Sequence, residues 1–171
     1  EEVLALKDLR QPLRVLLDGR NNLIAVGIDI IGIDSSDTVL MGSTIKRVFI
    51  GVQARESNAN IVGNTFEDIN TDAVFVREPL KGAKLGSAVA TPLLGDVNDA
   101  GSGANTFIGV QGNFIDNRSS AETRAEGNDW DSEDFAFIDD KMQGDVDFLP
   151  VLLNSGILSA GITVQVHDGA G

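Results

Sequence analysis

Acidic residues are concentrated in one long segment and are the clearest chemical signal of this sequence. Residues 96–147 contain 13 Asp and Glu against three Lys and Arg, in a 171-residue chain of net charge −13. Carboxylate and amide oxygens are the ligands that Ca²⁺ prefers. The candidate ligands are Asp96, Asn98 and Asp99, and then Asp129, Asp131 and Glu133. Neither group completes a helix-loop-helix calcium loop, so an acidic surface without metal is the alternative interpretation.

A second group of charged residues would form a face of carboxylates and guanidinium groups if stacking brought its members together. Asp68 and Asp72 follow one predicted bend, and Arg47 and Arg55 precede it. Hydrolysis of a glycosidic bond uses carboxylates that lie close in space, so a face carrying these side chains would be a candidate site. Ion pairs between neighbouring turns of the chain are the alternative, and such exposed pairs contribute little stability.

Composition excludes several other kinds of chemistry. The chain has no Cys and a single His, His167, so thiolate metal sites are absent and histidine chemistry is minimal. Copper needs soft or imidazole ligands, and Met41 lies in a predicted strand, where a core position is expected. The net charge repels phosphate backbones and anionic lipids, and no segment has the apolar character of a membrane span. Neither nucleic-acid binding nor membrane insertion is expected.

The elements that must position these side chains are short strands. Runs such as Leu23–Val26 and Ile45–Ile50 are rich in β-branched residues and are separated by Gly, Asn and Asp. Apolar residues at a sustained period of 3.6 would indicate helix, and no segment between about residues 20 and 130 has them. The central part of the chain is therefore predicted to be all β.

The short runs recur about every 21 to 23 residues. Thr38–Ile45 aligns with Ala59–Phe66 at an offset of 21, and the pattern returns near residues 103–107 and 125–130. Three asparagines then stand two residues before three aromatic residues: Asn64, Asn105 and Asn128 before Phe66, Phe107 and Trp130. The gap of 41 residues between the first two asparagines is nearly two repeat units.

A repeat of this size is too small to bury its own apolar face, so neighbouring repeats must stack. Stacked strands lie about 4.8 Å apart, and identical positions form ladders. We therefore expect Ile45, Phe66, Phe107 and Trp130 to point inward, and the asparagine amides to hydrogen-bond the coils above and below. A β-sandwich with hairpins of similar spacing is the alternative.

These motifs resemble the right-handed parallel β-helix repeat proteins of the pectin-lyase-like superfamily. Gly63-Asn64-Thr65-Phe66 is similar to that family's recurrent bend. The order of Gly127-Asn128-Asp129-Trp130 and Val146-Asp147-Phe148-Leu149-Pro150 is similar to the closing coils of exported bacterial and archaeal β-helix proteins. The resemblance implies a right-handed parallel β-helix in an extracellular, cell-surface or periplasmic protein. Relatives of this kind include polysaccharide lyases, which combine bound Ca²⁺ with a basic residue, and surface proteins, so the resemblance does not determine function.

The chain is expected to contain three regions. Residues 1–20 form a cap or lead-in, and the apolar spacing of residues 2–10 is compatible with a short N-terminal helix. Residues 21–150 form a solenoid of roughly five or six coils, with a projecting loop near 78–103 where Pro, Gly and Lys interrupt the pattern. Residues 151–171 form a strand-like tail after the closing motif.

The tail has an apolar face that would associate if left exposed. Its apolar residues, predicted to mediate self-association, are Ile157, Leu158, Ile162, Val164 and Val166. A cap folded on the same chain, or the start of a further domain, is the alternative.

Together these features predict an exported structural or binding module of a cell surface, envelope or extracellular assembly. Its expected partners are copies of itself, other surface proteins, or a polysaccharide. No catalytic or cofactor-binding residue is assigned, and Ca²⁺ is the one candidate cofactor. A carbohydrate-active β-helix, either a polysaccharide lyase or a glycoside hydrolase, is the alternative function.

Overall fold

The described residues form a solenoid of parallel β-strands. The structure, a computed structural model, describes residues 4–6, 16–19, 25–31, 39–78, 90–99 and 102–150. All strand pairings within these ranges are parallel, and the coils stack in about 4 turns. The predicted all-β parallel β-helix is confirmed, with about 4 turns where roughly five or six coils were expected.

The strands are short and one helix lies near the end of the described chain. In chain order the elements are β1 (Leu4–Leu6), β2 (Leu16–Asp18), β3 (Val26–Ile31), β4 (Val39–Met41), β5 (Thr44–Lys46), β6 (Ile50–Arg55), β7 (Asn60–Val62), β8 (Thr65–Glu67), β9 (Asp72–Arg77), β10 (Thr106–Ile108), β11 (Ile115–Arg118), β12 (Thr123–Arg124), α1 (Phe135–Asp140), β13 (Met142–Gln143) and β14 (Val146–Asp147).

The strands of successive coils stack on three sides. A six-stranded sheet has the order β1-β3-β6-β9-β11-β13, and a four-stranded sheet has the order β10-β8-β5-β2. The third side contains the pairs β4-β7 and β12-β14. Between these pairs, Leu93 forms a single bridge with Asn60 of β7, and Gly95 forms one with Ala125, directly after β12. Each complete coil therefore contributes one strand to each side, so equivalent residues of successive coils lie directly above one another.

Residues Leu4–Leu6 form a strand, which corrects the short N-terminal helix expected over residues 2–10. β1 pairs with β3, with Leu4 opposite Ile28 and Leu6 opposite Ile30. The edge of a sheet carries unpaired backbone groups, and pairing them outweighs the weak helix preference of a short segment. In the lead-in expected over residues 1–20, the other described residues are 16–19, where β2 pairs with β5.

One bend of each coil has a left-handed residue at a fixed position. Gly42, Gly63, Ala104 and Gly127 have φ angles of 58, 61, 57 and 67°. A β-carbon added at Gly63 or Gly127 would meet no atom within 4 Å. Backbone conformation, and not lack of space, therefore explains the glycines before Asn64 and Asn128, whereas before Asn105 an alanine adopts the same conformation.

The residues after these bends form a buried ladder of amides. Asn64, Asn105 and Asn128 are at most 1% exposed. The main-chain N–H of Asn64 donates to Oδ1 of Asn105 at 3.0 Å, and that of Asn105 donates to Oδ1 of Asn128 at 2.8 Å. The side-chain Nδ2 groups of Asn64 and Asn105 donate to the same oxygens at 3.1 and 2.9 Å. The predicted hydrogen bonding of asparagine between coils is confirmed.

The gap of 41 residues is one coil, so its interpretation as nearly two repeat units was wrong. Asn64 and Asn105 hydrogen-bond directly, which places them in adjacent coils. Residues 90–95 lie in the stack, joined to neighbouring coils by bridges. Counting residues cannot distinguish an inserted segment from a second coil, because an insertion leaves the stack unchanged. Within the loop expected near 78–103, residues 79–89, 100 and 101 lie outside the described residues.

Aromatic rings form the centre of the core. Ile45, Phe66 and Phe107 are fully buried and Trp130 is 1% exposed, so the predicted inward positions are confirmed. The ring centroids of Phe66 and Phe107 are 5.0 Å apart, and those of Phe107 and Trp130 are 4.5 Å apart. Phe114, which the repeat alignment did not include, packs at a tilt against both Phe107 and Trp130.

Met41 is 41% exposed, which corrects the core position expected for it. Successive side chains of a strand point to opposite faces. In β4 the inward position belongs to Leu40, which is 1% exposed, so its neighbour Met41 points outward.

Residues 151–171, which include the five apolar residues predicted to mediate self-association, lie outside the described residues. Their expected role in self-association stays a prediction.

We predict that Phe66→Ala lowers the free energy of unfolding by about 3–5 kcal/mol, because it leaves a cavity beside Phe107 in the aromatic stack. Chemical denaturation followed by circular dichroism measures the loss. Phe49→Ala is the control, since the Phe49 side chain is 43% exposed and its removal leaves no comparable cavity. Equal stability of the two variants would contradict this description of the core.

Candidate functional site

The outer surface of the six-stranded sheet carries two rows of side chains, most of them polar or charged. Pairing between strands aligns Asp29, Gln53, Phe75 and Asp116 in one row, and Ile31, Arg55, Arg77 and Arg118 in the next. These positions alternate with inward residues such as Val52 and Val74. Asp29, Gln53 and Asp116 are themselves buried by their neighbours, whereas Phe75 and the three arginines are partly exposed or exposed. We call the two rows the outer face. Because the rows follow the sheet register, each side chain has a neighbour from the coil before and the coil after.

Two of the three arginines in the outer face are paired with carboxylates. Arg55 makes a bidentate ion pair with Asp29, with Nε 3.0 Å from Oδ1. Gln53 donates to the same Oδ1 at 3.2 Å. Arg118 pairs with Asp116 of its own strand, with Nη2 2.7 Å from Oδ2. The Asp116 side chain is 1% exposed, and removing the guanidinium would leave it buried without an ion-pair partner.

Arg77 lies between these two pairs and has no ion pair within the described part of the chain. Its Nε is buried and has no hydrogen-bond partner. The position in the preceding strand that corresponds to Asp29 is Gln53, and the position in the same strand that corresponds to Asp116 is Phe75. The Phe75 ring centroid lies 5.8 Å from the Arg77 guanidinium carbon and 5.3 Å from that of Arg118. The outer face therefore has one cation that lacks an anion, held beside an aromatic ring.

Asp72 lies at the start of β9, at one edge of the outer face. Nδ2 of Asn113 donates to its Oδ1 at 2.8 Å. Burial of the half-buried carboxyl raises its pKa above the ordinary value of 3.8, and the nearby charge of Asp116 acts in the same direction. The hydrogen bond from Asn113 and the charge of Arg118 oppose these effects without reversing them. Asp72 is therefore the carboxyl of this region best suited to hold a proton.

The four residues considered for polysaccharide cleavage do not form one group. Arg47 makes a bidentate ion pair with Asp18, and Arg55 makes the pair with Asp29 described above. Asp68 is exposed at a bend next to Gly109, and Asp72 lies on the six-stranded sheet. The two arginines have the arrangement expected of ion pairs between coils.

The first group of predicted calcium ligands lies in a turn. Oδ1 of Asp96 accepts from the main-chain N–H and the Nδ2 of Asn98 at 2.8 and 3.0 Å, and Oδ2 pairs with Nη1 of Arg124 at 2.5 Å. These hydrogen bonds, led by that from the Asn98 main chain, lower the pKa of Asp96 despite its partial desolvation. Asp99 lies in the same turn, where its N–H donates to the Asp96 carbonyl.

The second group lies at the bend after Trp130. Oδ2 of Asp131 accepts from the Gly109 N–H at 3.0 Å, Oδ1 of Asp129 accepts from the Asp131 N–H at 3.4 Å, and Glu133 is exposed. No group of three acidic or histidine side chains suited to a metal ion occurs among the described residues. Calcium binding therefore stays a prediction.

Arg77 and its row were missed by the sequence reasoning, although the sequence carries a signal for them. Arg55 and Arg77 are 22 residues apart, and Arg77 and Arg118 are 41 residues apart. The second interval equals that between Asn64 and Asn105, which marks the same inserted segment. The ion-pair partner of each arginine cannot be read from the sequence, because it depends on which side chains the stacking brings together.

Comparison with known proteins adds no family to this description. No protein-family model, no curated protein and no solved structure matches the chain. The described part of the chain also contains no helix with the length and apolar content of a membrane span.

We predict that Asp72→Asn makes stability less dependent on pH. A carboxyl whose pKa is raised on folding holds its proton more tightly in the folded state, so the wild type loses stability as the pH rises from near 4 through the folded pKa. The amide introduced by the substitution would keep a hydrogen bond to Asn113 without carrying a charge. The variant should therefore be at least as stable as the wild type at pH 7, and the difference should shrink or reverse near pH 3.

Urea denaturation at several pH values measures this difference. Asp139→Asn, on the exposed side of α1, is the matched control. A constant difference between wild type and Asp72→Asn across the pH range would contradict the raised pKa.

Proposed function

We propose that this chain is a structural or binding module of a cell surface, envelope or extracellular assembly, and that its outer face binds a carboxylate-bearing polysaccharide. The observation that carries the proposal is the unpaired guanidinium of Arg77 beside Phe75, between the paired Arg55 and Arg118. A guanidinium binds a carboxylate in a bidentate manner, and an aromatic ring packs against the apolar face of a sugar.

The net negative charge of the chain disfavours glycans that carry a high density of negative charge. A net charge of −13 repels a dense polyanion at long range. A single carboxylate on a largely neutral glycan avoids most of that repulsion and still reaches Arg77. A uronate within a mixed glycan is therefore a better match than a fully charged polymer.

Export and membership of the pectin-lyase-like superfamily are part of the same proposal. They are supported by the Gly63-Asn64-Thr65-Phe66 motif and by the order of the closing motifs. Self-association through residues 151–171 is the corresponding proposal for assembly, supported by their apolar composition.

A carbohydrate-active enzyme is the second candidate function, and one observation favours it. Asp72 and Asp116 lie on neighbouring strands of the six-stranded sheet, and burial raises the pKa of Asp72. Glycoside hydrolysis uses two carboxyl groups that lie close in space, and a raised pKa suits the one that acts as the general acid. Shortening of the glycan chain by the wild type, lost in Asp72→Asn, would identify this activity.

We predict that Arg77→Ala weakens binding of a glucuronate-containing oligosaccharide at least about tenfold, since a hydrogen bond to a charged group contributes about 1.5–3 kcal/mol. Isothermal titration calorimetry gives the affinity. Arg124→Ala removes an arginine that pairs with Asp96 away from the outer face, and it should bind as the wild type does. The carboxyl-reduced oligosaccharide should bind the wild type as weakly as the acidic ligand binds Arg77→Ala. Equal binding by both variants, or no binding by the wild type, would contradict the proposal.

A further inference from the structure

The last coil of the described solenoid is covered on one side by α1. The helix begins after Asp134, whose Oδ1 accepts from the Ala136 N–H at 3.0 Å. Ile138 is buried against the core, the ring of Phe137 meets that of Phe114 edge-on at 6.1 Å, and the ring of Phe135 stacks on Phe148 at 5.6 Å. We call the surface formed by residues 131–149 the end face.

Three large apolar side chains remain partly exposed on the end face. Phe135, Phe137 and Leu149 are 41, 43 and 40% exposed. The two rings are already fixed by Phe148 and Phe114, so a ligand that covers them does not have to order them. Rings held in this way are suitable anchors for an interface.

The sequence around these rings is mostly acidic, although Nζ of Lys141 itself lies 5.3 Å from the ring centroid of Phe137. Residues 131–147 contain seven acidic residues and one basic residue, Lys141. Nζ of Lys141 donates to the carbonyl oxygens of Val110, Gln111 and Gly112 at 2.6, 3.3 and 3.0 Å, so its hydrogen bonds are made within the protein. Glu133, Asp139, Asp140 and Asp145 are exposed and make no ion pair within the described residues. A partner that buries the rings must therefore supply positive charge.

Two segments that could cover the end face, a second copy of it and residues 151–171, do not supply the positive charge. A second end face would bring like charges together, which is repulsive. Residues 151–171 follow directly, but they contain no Lys or Arg.

We propose that the end face docks a cationic amphipathic segment of another protein, whose apolar side packs on Phe135, Phe137 and Leu149 and whose Lys or Arg side chains pair with Asp139 and Asp140. Long basic side chains can cover an aromatic ring with their stems while their charged ends reach a carboxylate. The inference is independent of glycan binding at Arg77, which lies on the six-stranded sheet.

The first test measures binding of a fluorescent amphipathic helical peptide of leucine and lysine to the full chain. The same peptide with glutamate in place of lysine, and oligolysine, are the ligand controls. Asp139→Lys/Asp140→Lys should weaken binding at least tenfold. Asp68→Lys/Glu122→Lys changes the net charge equally at two other exposed positions and should weaken it less than twofold. Equal weakening in both variants, binding of oligolysine with the same affinity, or no binding by the wild type would overturn the proposal.

The second test identifies what lies on the end face. p-Benzoylphenylalanine is placed at Phe137 of the full chain, and the photoproducts formed with the leucine–lysine peptide present are mapped by mass spectrometry. A cross-link to the peptide, reduced in the Asp139→Lys/Asp140→Lys background, supports the proposal. A cross-link to residues 151–171 or to a second copy that the peptide does not displace would overturn it.

Discussion

The buried amide ladder is the interaction on which the rest of this structure depends. Asn64, Asn105 and Asn128 follow left-handed bends, and the main-chain N–H groups of Asn64 and Asn105 donate there to an asparagine side chain of the neighbouring coil. A buried N–H without an acceptor costs about 1–3 kcal/mol. Each asparagine supplies that acceptor to the coil beside it, so the ladder satisfies the bends and also fixes the register in which coils stack.

The register of the stacked coils then determines which side chains become neighbours on the outer surface. The same stacking that places Phe66, Phe107 and Trp130 in one column also places Arg55 and Arg77 side by side on the outside. Ion pairs satisfy some of these outward charges, and the positions filled by Gln53 and Phe75 leave the guanidinium of Arg77 without a carboxylate. A candidate binding site thus arises at the arginine for which neither of these positions carries a carboxylate.

The features that sequence reasoning predicted are those that recur at a fixed interval. The asparagine and aromatic columns were found because side chains of the same type stand at equivalent positions in several coils. The strand at Leu4–Leu6 was missed because its pairing with β3 is a tertiary contact that no local spacing reveals. The helix α1 occurs once among the described elements, and so has no repeat to mark it. Whether Arg77 has an ion-pair partner depends on which carboxylates lie near it in the folded protein. The stacking of the coils decides this, and the sequence alone does not reveal it.

The free energy of unfolding of Asn105→Ala tests the central claim most directly. Asn105 accepts from Asn64 and donates to Asn128 and to the carbonyl oxygens of Ile61 and Leu94. Its loss leaves several buried groups unpaired, so the account predicts destabilisation of at least about 3 kcal/mol. Asn98→Ala, at an exposed turn, should change stability by less than about 1 kcal/mol. If Asn105→Ala were no less stable than Asn98→Ala, stacking would not depend on the ladder and the account would be wrong.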